Sequence, residues 1–368
     1  MSKFVFANQL RGIAAVLVVM THYFGTFFAE QDLLAARTFS PNLHLVPAAW
    51  THAFELPYQG PFGVAIFFMI SGFVIPYSLK KSSLPGFLLN RVLRIFPTYA
   101  CCLGLGTLAI YLSARYWGQD FSYQPNVLVA NALLVHNYLG LPSMDAVNWT
   151  LAIEIKFYLL AALGAAAVFR RGAGWLLAFL AMAAGYTWAW AQGWDLHHPR
   201  DIATGITMEL NYIVFMVAGT QFYQHAAGLI STRALQLRTA LILATFSFTW
   251  SVGPQQSQFP NITWFYFSAF AVFALCYARR ERFKPMRLLD FLADISYPLY
   301  CVHSLFGYCA LKILVANGLP FGAAVLLTLA ATIGLAYLVH RTIEASSNQL
   351  GKRWGAALSR RKLAAAAA

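Results

Sequence analysis

The sequence places a few ionisable residues inside strongly apolar runs, where polarity is costly and therefore points to function. Arg11 and His22 lie eleven residues apart in the first such run. In an α-helix this spacing brings the two side chains to within about 20° of one face, about 16 Å apart along the axis. A guanidinium favours phosphate, and an imidazole can act as a general base or a nucleophile. The pair suggests a long ligand held at its anionic end by Arg11 and at its reactive end by His22. The alternative is an arginine that snorkels to the interface and a histidine that only packs.

Two further ionisable groups are predicted at a depth similar to that of His22. Glu154 lies about 8 Å below the outer end of its span, with Tyr158 one turn deeper on the same face. His303 lies about 20 Å up a span that rises from the inside, after Pro298, a residue type that kinks helices. A carboxylate beside a histidine could orient the ring and stabilise its cation, or titrate as the acid or base itself. An ion pair that only fixes helix packing is the alternative.

A pair of arginines marks an inner edge of the predicted membrane domain. Arg91 and Arg94 are three residues apart, on one helical face, just before Pro97. Together with Arg11 they could form a phosphate clamp on the cytoplasmic side. Ordinary anchoring of positive charge at the membrane surface would explain the same residues.

The surroundings of these residues are those of an integral membrane protein. Of 368 residues, 59% are hydrophobic and only 11% are charged, against about 25% charged in a soluble domain. One water-soluble core could not hide that much apolar surface. The formal net charge of +13 then reflects basic cytoplasmic loops, and no nucleic-acid partner is expected.

The five cysteines lie in apolar runs, without metal-ligand spacing to histidine and without a framework of loop cysteines. They are interpreted as packing residues. The sequence therefore predicts no metal site.

Apolar runs of the length that crosses a bilayer, about 20 residues, recur ten times. The predicted spans are 8–28, 61–79, 98–117, 149–169, 173–193, 208–224, 238–253, 261–278, 290–313 and 321–341. A shorter apolar stretch near 126–139 is predicted to form an interfacial or re-entrant helix on the outer side. The expected fold is an all-α integral membrane bundle of about ten transmembrane helices.

The basic residues predict the orientation of these spans. Of the 26 Lys and Arg residues, 21 fall on or at the edge of the side that holds the termini and four on the opposite side. Both termini are therefore expected in the cytoplasm. Acidic residues such as Asp145 fall outside or at the outer edge. Residues 1–345 are predicted to form the transmembrane domain, and 346–368 a basic cytoplasmic tail whose last alanines are a cloning remnant or a frayed end.

Five segments, in order along nearly the whole chain, resemble a known family, the acyltransferase-3 family of membrane acyltransferases. The segments are Gln9–His22, Gly63–Phe73, Arg91–Tyr99, Trp149–Tyr158 and Ser296–His303. They correspond to the arginine and histidine of the family's first helix, its second helix, its arginine pair before a proline, its Trp-Ser-Leu-x-x-Glu element and its late helix. Thr150 stands where serine is usual, and Ser304 and Leu305 follow His303 where x-Pro is frequent.

The resemblance implies a multi-pass enzyme of the bacterial inner membrane. Its donor would be cytoplasmic acyl-CoA, here expected to be acetyl-CoA, and its acceptor a cell-surface or lipid-linked carbohydrate. No tightly bound cofactor is expected, and membrane lipids are the remaining partner. The sequence does not indicate the oligomeric state.

The same resemblance implies roles for individual residues. Arg11, Arg91 and Arg94 would hold the CoA phosphates, and the pantetheine arm would run from Arg11 to His22. His22 would be the general base or the acyl carrier, and Glu154 would orient or assist it, with Arg11 as the third catalytic residue. The expected acceptor pocket is lined by Ser71, Trp149, Tyr158, Tyr297, Tyr300 and His303.

Two other functions fit some of these features. A transporter or flippase of a lipid-linked saccharide would use buried Arg, His and Glu as a proton or substrate path, although the sequence lacks the internal repeat of many transporters. A non-catalytic scaffold or sensor would need the same residues only for stability. A third possibility keeps the fold and the reaction but changes the acyl group or the acceptor.

Overall fold

The computed structural model describes residues 4–55, 59–145, 147–169, 172–197 and 199–367. The described residues are helical and contain no β-strand, which confirms the all-α prediction. In chain order the helices are α1 (Val5–Met20), α2 (Phe27–Ala29), α3 (Gln31–Thr38), α4 (Gln59–Lys80), α5 (Leu84–Trp117), α6 (Pro125–Ala132), α7 (Asn148–Leu163), α8 (Ala165–Val168), α9 (Gly174–Ala191), α10 (Arg200–Ala226), α11 (Thr232–Val252), α12 (Asn261–Ala278), α13 (Arg287–Ala316), α14 (Phe321–Val339) and α15 (Ala345–Ala367).

Two π-helical turns join some of these helices. Thr21–Thr26 connects α1 to α2, and His340–Glu344 connects α14 to α15. Short 3₁₀ turns lie at Ala49–Ala53, His136–Leu139, Gln256–Gln258 and Arg280–Arg282.

Seven helical segments among the described residues are long and apolar enough to cross a membrane. They are Val5–Ala29, Gln59–Lys80, Leu84–Trp117, Arg200–Ala226, Asn261–Ala278, Arg287–Ala316 and Phe321–Leu358. A multi-pass membrane protein is therefore confirmed. The remaining predicted spans coincide with α7, α9 and α11, which are not among the seven, so the count of ten and the side of the termini stay predictions.

The predicted interfacial segment forms two short helices rather than one. Pro125 occupies the first turn of α6, where a missing N–H costs nothing. The 3₁₀ turn that follows ends at Gly140, which has a left-handed backbone (φ 62°). The predicted tail is helical as α15, and its residue 368 lies outside the described residues. The boundary at 345 and the interfacial position stay predictions.

The chain forms two compact units. The first unit comprises Met1–Gly63, Leu89–Ala152 and Arg280–Trp354; the second comprises Val64–Leu88, Ile153–Arg279 and Gly355–Ala368.

In the first unit, α13 packs against both α1 and α14. A Cβ atom on Gly12 of α1 would lie 2.9 Å from the carbonyl oxygen of Leu289, and one on Gly307 of α13 would lie 2.3 Å from the hydroxyl of Tyr23. Small residues at helix crossings let membrane helices approach closely. Gly12 therefore allows close contact between α1 and α13, and Gly307 allows close contact between α13, which carries His303, and the turn Thr21–Thr26, which carries His22.

In the second unit, α10 packs against α9 and α11 and meets α4 at a pair of glycines. A Cβ on Gly72 would lie 2.0 Å from the carbonyl oxygen of Met216, and one on Gly219 would lie 2.3 Å from that of Met69. The two backbones touch at this crossing, so neither position has room for a side chain.

Candidate active site

His22 lies in the π-helical turn Thr21–Thr26, directly after α1. Such turns are rare in proteins overall, and those that occur often lie at functional sites. The α-helical register that aligned Arg11 with His22 ends at Met20. The turn therefore sets the direction of His22 independently of the helix that precedes it.

The ring of His22 contacts two side chains of α13. Its Nδ1 shares a hydrogen bond with the hydroxyl of Tyr308. Its ring meets the ring of His303 edge to face, with centroids 4.8 Å apart and an interplanar angle of 77°. His22 is half-buried, whereas His303 and Tyr308 are almost fully buried. The sequence predicted His22, Glu154 and His303 at a similar depth, and the structure brings His22 and His303 into contact.

His303 is fixed by its own helix. Its Nδ1 lies 2.9 Å from the carbonyl oxygen of Tyr300 and 3.1 Å from that of Leu299. Its other ring nitrogen, Nε2, is buried and has no hydrogen-bond partner among the described residues.

Tyr23 ties the site to a third helix. Its hydroxyl lies 3.1 Å from the carbonyl oxygen of His303 and 2.9 Å from the hydroxyl of Thr332 on α14. Since Tyr23 is next to His22 in the chain, these bonds fix the π-helical turn against α13 and α14.

A buried carboxylate lies in the same unit. Asp145 precedes α7 and accepts hydrogen bonds from the hydroxyl of Ser304, the neighbour of His303, and from the backbone N–H of Val147 at 3.2 Å. Asp145 is only 3% exposed.

The segment that carries Asp145 is held by Asn131 of α6. The side chain of Asn131 accepts from the backbone N–H of Met144 at 3.0 Å and donates to the carbonyl of Pro142 at 3.0 Å. The hydroxyl of Tyr99 donates to the Asn131 carbonyl at 3.0 Å. The short helix predicted as interfacial therefore positions the segment that bears the buried acid.

The predicted pocket residues of the first unit make bonds between helices. The hydroxyl of Tyr300 shares a hydrogen bond of 2.8 Å with that of Thr150, and the hydroxyl of Tyr297 donates to the carbonyl of Ile95 at 2.9 Å. Trp149 is half-buried in the first turn of α7. A role of these residues in acceptor binding stays a prediction.

The three predicted phosphate-binding arginines belong to the first unit. Arg11 lies on α1, and Arg91 and Arg94 lie on α5; all three are half-buried. Their assignment to the CoA phosphates stays a prediction.

Glu154 belongs to the second unit and has two hydroxyl partners there. Its Oε1 accepts a hydrogen bond from Ser71 at 2.7 Å and one from Tyr158 at 2.5 Å. The three predicted site residues of this unit therefore form one cluster. Lys156, two residues later and therefore on the opposite face of α7, pairs instead with Glu209 of α10.

Sequence reasoning missed three residues near His22. Tyr308 lies five residues after His303, which on an ideal helix is about 140° around the axis, so spacing did not connect the two. Asp145 was placed among the outer acids. Arg37 of α3 is one of the four basic residues predicted on the outer side; it lies in the same unit as His22, and its positive charge acts on His22 and Tyr308.

The arrangement around His22 can support base or nucleophile chemistry. A hydroxyl holds one ring nitrogen, a second imidazole packs against the ring, and part of the His22 surface stays accessible. An imidazole held in this way can take a proton from a hydroxyl or attack a carbonyl carbon with its other nitrogen.

Comparison with known proteins gives one family and one curated relative. A family model described as an acyltransferase domain matches residues 4–341. Nodulation protein 10 of Rhizobium leguminosarum bv. viciae is 29% identical over 215 residues, which cover 51% of this chain and 53% of that protein. The chain thus matches about half the length of this curated relative. No solved structure matches the chain.

Proposed function

The chain belongs to the acyltransferase-3 family of membrane acyltransferases, and from this premise we propose that it is an O-acyltransferase. It moves acetyl from cytoplasmic acetyl-CoA to a hydroxyl of a cell-surface or lipid-linked carbohydrate, in the bacterial inner membrane. The observation that carries the proposal is His22, a half-buried histidine in a π-helical turn of an apolar helix, held by Tyr308 and packed on His303.

The donor side of the proposal rests on the arginines. Arg11, Arg91 and Arg94 bind the phosphates of CoA, because guanidinium groups pair with phosphate through two parallel hydrogen bonds. The pantetheine arm then brings the thioester towards His22. Acetyl-CoA is a co-substrate, and the chemistry needs no resident cofactor.

The acceptor side is proposed from the aromatic residues Trp149, Tyr297 and Tyr300, which lie in the same unit as His22. Tyrosine and tryptophan combine an apolar face with a polar end, which suits a sugar. The role of Glu154 as the assisting carboxylate is proposed from the family resemblance.

Two routes of transfer fit an imidazole at this position. In the direct route, His22 takes the proton of the acceptor hydroxyl, the oxygen attacks the thioester carbon, and the C–S bond breaks as the CoA thiolate leaves. In the covalent route, the His22 nitrogen attacks the thioester carbon first and the thiolate leaves. The acceptor oxygen then displaces the imidazole, and its proton ends on the thiolate.

The test is acetyl-CoA turnover by the purified protein in nanodiscs, following free thiol and labelled acetyl. Wild type is compared with His22→Ala and with His225→Ala. His225 is a matched control, because its Nδ1 also bonds a tyrosine hydroxyl on a neighbouring helix, that of Tyr277 at 2.7 Å. We expect His22→Ala to lose at least about 100-fold in thiol release and His225→Ala to keep the wild-type rate.

The pattern of label separates the routes and the rival function. Label on the protein before acceptor is added, lost in His22→Ala, supports the covalent route. Thiol release only with a saccharide present supports the direct route. A wild-type protein that neither turns over acetyl-CoA nor binds CoA saturably, with several classes of acceptor, would contradict the proposal and favour a transporter.

A further inference from the structure

The hydrogen bonds of His303 fix which of its nitrogens carries the proton. Its Nδ1 faces two backbone carbonyl oxygens, those of Leu299 at 3.1 Å and Tyr300 at 2.9 Å. Carbonyl oxygens only accept, so Nδ1 must carry the hydrogen. In the neutral ring Nε2 is then a bare lone pair, and this atom is buried without a partner among the described residues.

A buried acceptor without a donor costs free energy, so its presence calls for an explanation. Among the described residues, the polar ring that lies nearest to His303 is that of His22, with its centroid 4.8 Å away in an edge-to-face arrangement; the Tyr300 ring lies at 5.8 Å. His303 is fully inaccessible, whereas His22 is half-buried. A substrate can therefore reach His22 and not His303. Any effect of His303 on the reaction is then exerted on the ring of His22.

We infer that His303 is a positioning residue whose bare Nε2 stabilises the positive charge that forms on His22 during acyl transfer. This inference rests on the proposed function. It assigns to His303 a role distinct from the acceptor contact expected from the sequence.

The charge arises in both routes of transfer. In the direct route, His22 becomes an imidazolium when the acceptor O–H bond breaks and the proton moves to its ring. In the covalent route, attack on the thioester gives an N-acyl imidazolium, with the proton kept on Nδ1, which lasts until the acceptor oxygen takes the acetyl group and releases neutral imidazole. A fixed lone pair in a dry interior stabilises such a cation without reorganisation. Two imidazolium rings at this distance would repel, so the pair holds one extra proton at most.

Two substitutions separate this role from a merely structural one. In His303→Asn the side-chain amide can still donate from the position of Nδ1 but has no atom at the position of Nε2. In His303→Gln an amide oxygen can occupy the position of Nε2, but the donor at the position of Nδ1 is lost. Both variants are compared with wild type and His22→Ala for thermal stability in nanodiscs, and for kcat and KM of acetyl-CoA in the thiol-release assay.

We expect His303→Asn to keep the wild-type melting temperature and a KM within about twofold, while kcat falls at least about 30-fold, the loss of roughly 2 kcal/mol of transition-state stabilisation. We expect His303→Gln to recover part of kcat relative to His303→Asn, because its oxygen can still face the cation.

A His303→Asn protein with wild-type kcat, beside an inactive His22→Ala, would overturn the inference and leave the proposed function standing. An active His303→Asn protein beside an inactive His303→Gln protein would also overturn the inference. Turnover would then depend on the hydrogen-bond donor at the position of Nδ1 and not on the lone pair at the position of Nε2. A wild-type protein that releases no thiol would overturn the inference together with the proposed function.

Discussion

At His22 a single hydroxyl decides which ring nitrogen is available for reaction. Tyr308 can donate its one hydrogen or accept through its oxygen, and it shares a hydrogen bond with Nδ1 of His22. When the phenol oxygen accepts, Nδ1 of His22 carries the hydrogen. Nε2 of His22 is then a bare base or nucleophile, as the proposed reaction requires. Tyr308 thus has the orienting role that a carboxylate has in other histidine-dependent enzymes.

Replacing Tyr308 with Phe removes this orienting bond and keeps the ring. We expect thiol release from acetyl-CoA to fall about 10-fold to 100-fold, the range that corresponds to one hydrogen bond to a group that becomes charged. Binding of CoA should not change, because the phosphate contacts are made elsewhere.

The matched control for this variant is Tyr212→Phe in the second unit. Tyr212 is also buried and accepts a hydrogen bond, from Gln255 at 2.9 Å. The control should lose some thermal stability and keep its turnover. Equal turnover in Tyr308→Phe and wild type would contradict the orienting role of Tyr308.

Glu154 gives a second prediction at the scale of the residue. Gln at this position can still accept from Ser71 and Tyr158, so the Glu154→Gln protein should fold, yet it loses the negative charge. We expect acetyl transfer to drop about tenfold or more. The control, Glu209→Gln, breaks the pair with Lys156. Glu209→Gln should lower the melting temperature without lowering turnover. If Glu154→Gln instead lowers the melting temperature and keeps the wild-type turnover, Glu154 is a structural residue.

At the scale of the helix, close backbone contact rather than side-chain bulk holds crossing elements together. On α4, a Cβ at Gly72 would lie 2.0 Å from a carbonyl oxygen of α10. That oxygen belongs to backbone, so no change of rotamer can relieve the overlap.

We therefore expect Gly72→Ala to lower the stability of the protein by about 1 to 3 kcal/mol, read as a lower melting temperature in nanodiscs. Gly185 of α9 serves as the control, because a Cβ there meets nothing within 4 Å. Gly185→Ala should be neutral or gain up to about 1 kcal/mol. Equal melting temperatures for the two variants would show that α4 and α10 can move apart without a loss of stability.

The elements themselves could be predicted from sequence because the bilayer imposes a length and an apolar composition on each span. Each of the ten predicted spans overlaps a helix or a run of consecutive helical segments. The π-helical turn could not be predicted, since no residue type or spacing in Thr21–Thr26 is specific to π-helical geometry. Without that turn, the alignment of His22 with its partners cannot be derived from spacing.

Within the candidate site, polarity at depth identified His22 and His303 because ionisable and unsatisfied polar groups are costly there. The same criterion did not detect Tyr308, since a tyrosine in an apolar helix is ordinary. It also did not detect Asp145, because an acidic residue in a predicted loop is expected to be exposed. In the structure, hydrogen bonds from Asn131 hold that loop inside the unit. Tertiary contacts, which sequence does not show, decide both cases.

At the scale of the whole molecule, the distribution of Lys and Arg predicts that both termini are cytoplasmic, which requires an even number of spans. The seven segments that meet the length and composition criteria would, taken alone, place the termini on opposite sides. Helices α7, α9 and α11 therefore decide the topology.

Reporter fusions at each terminus test this prediction in bacterial cells. A fluorescent protein that folds only in the cytoplasm should be active at both ends, and a phosphatase that is active only outside should be inactive at both. A phosphatase that is active at one end only would contradict the ten-span topology.

The most direct test of the central claim is acetyl transfer across a sealed membrane. The protein is placed in vesicles with its arginine-rich side outward, labelled acetyl-CoA is added outside, and a mixture of saccharide acceptors is trapped inside. The account predicts labelled saccharide in the lumen and free thiol outside in equal amounts, with neither in His22→Ala. Unchanged acetyl-CoA with wild-type protein, or equal labelling by His22→Ala, would contradict it.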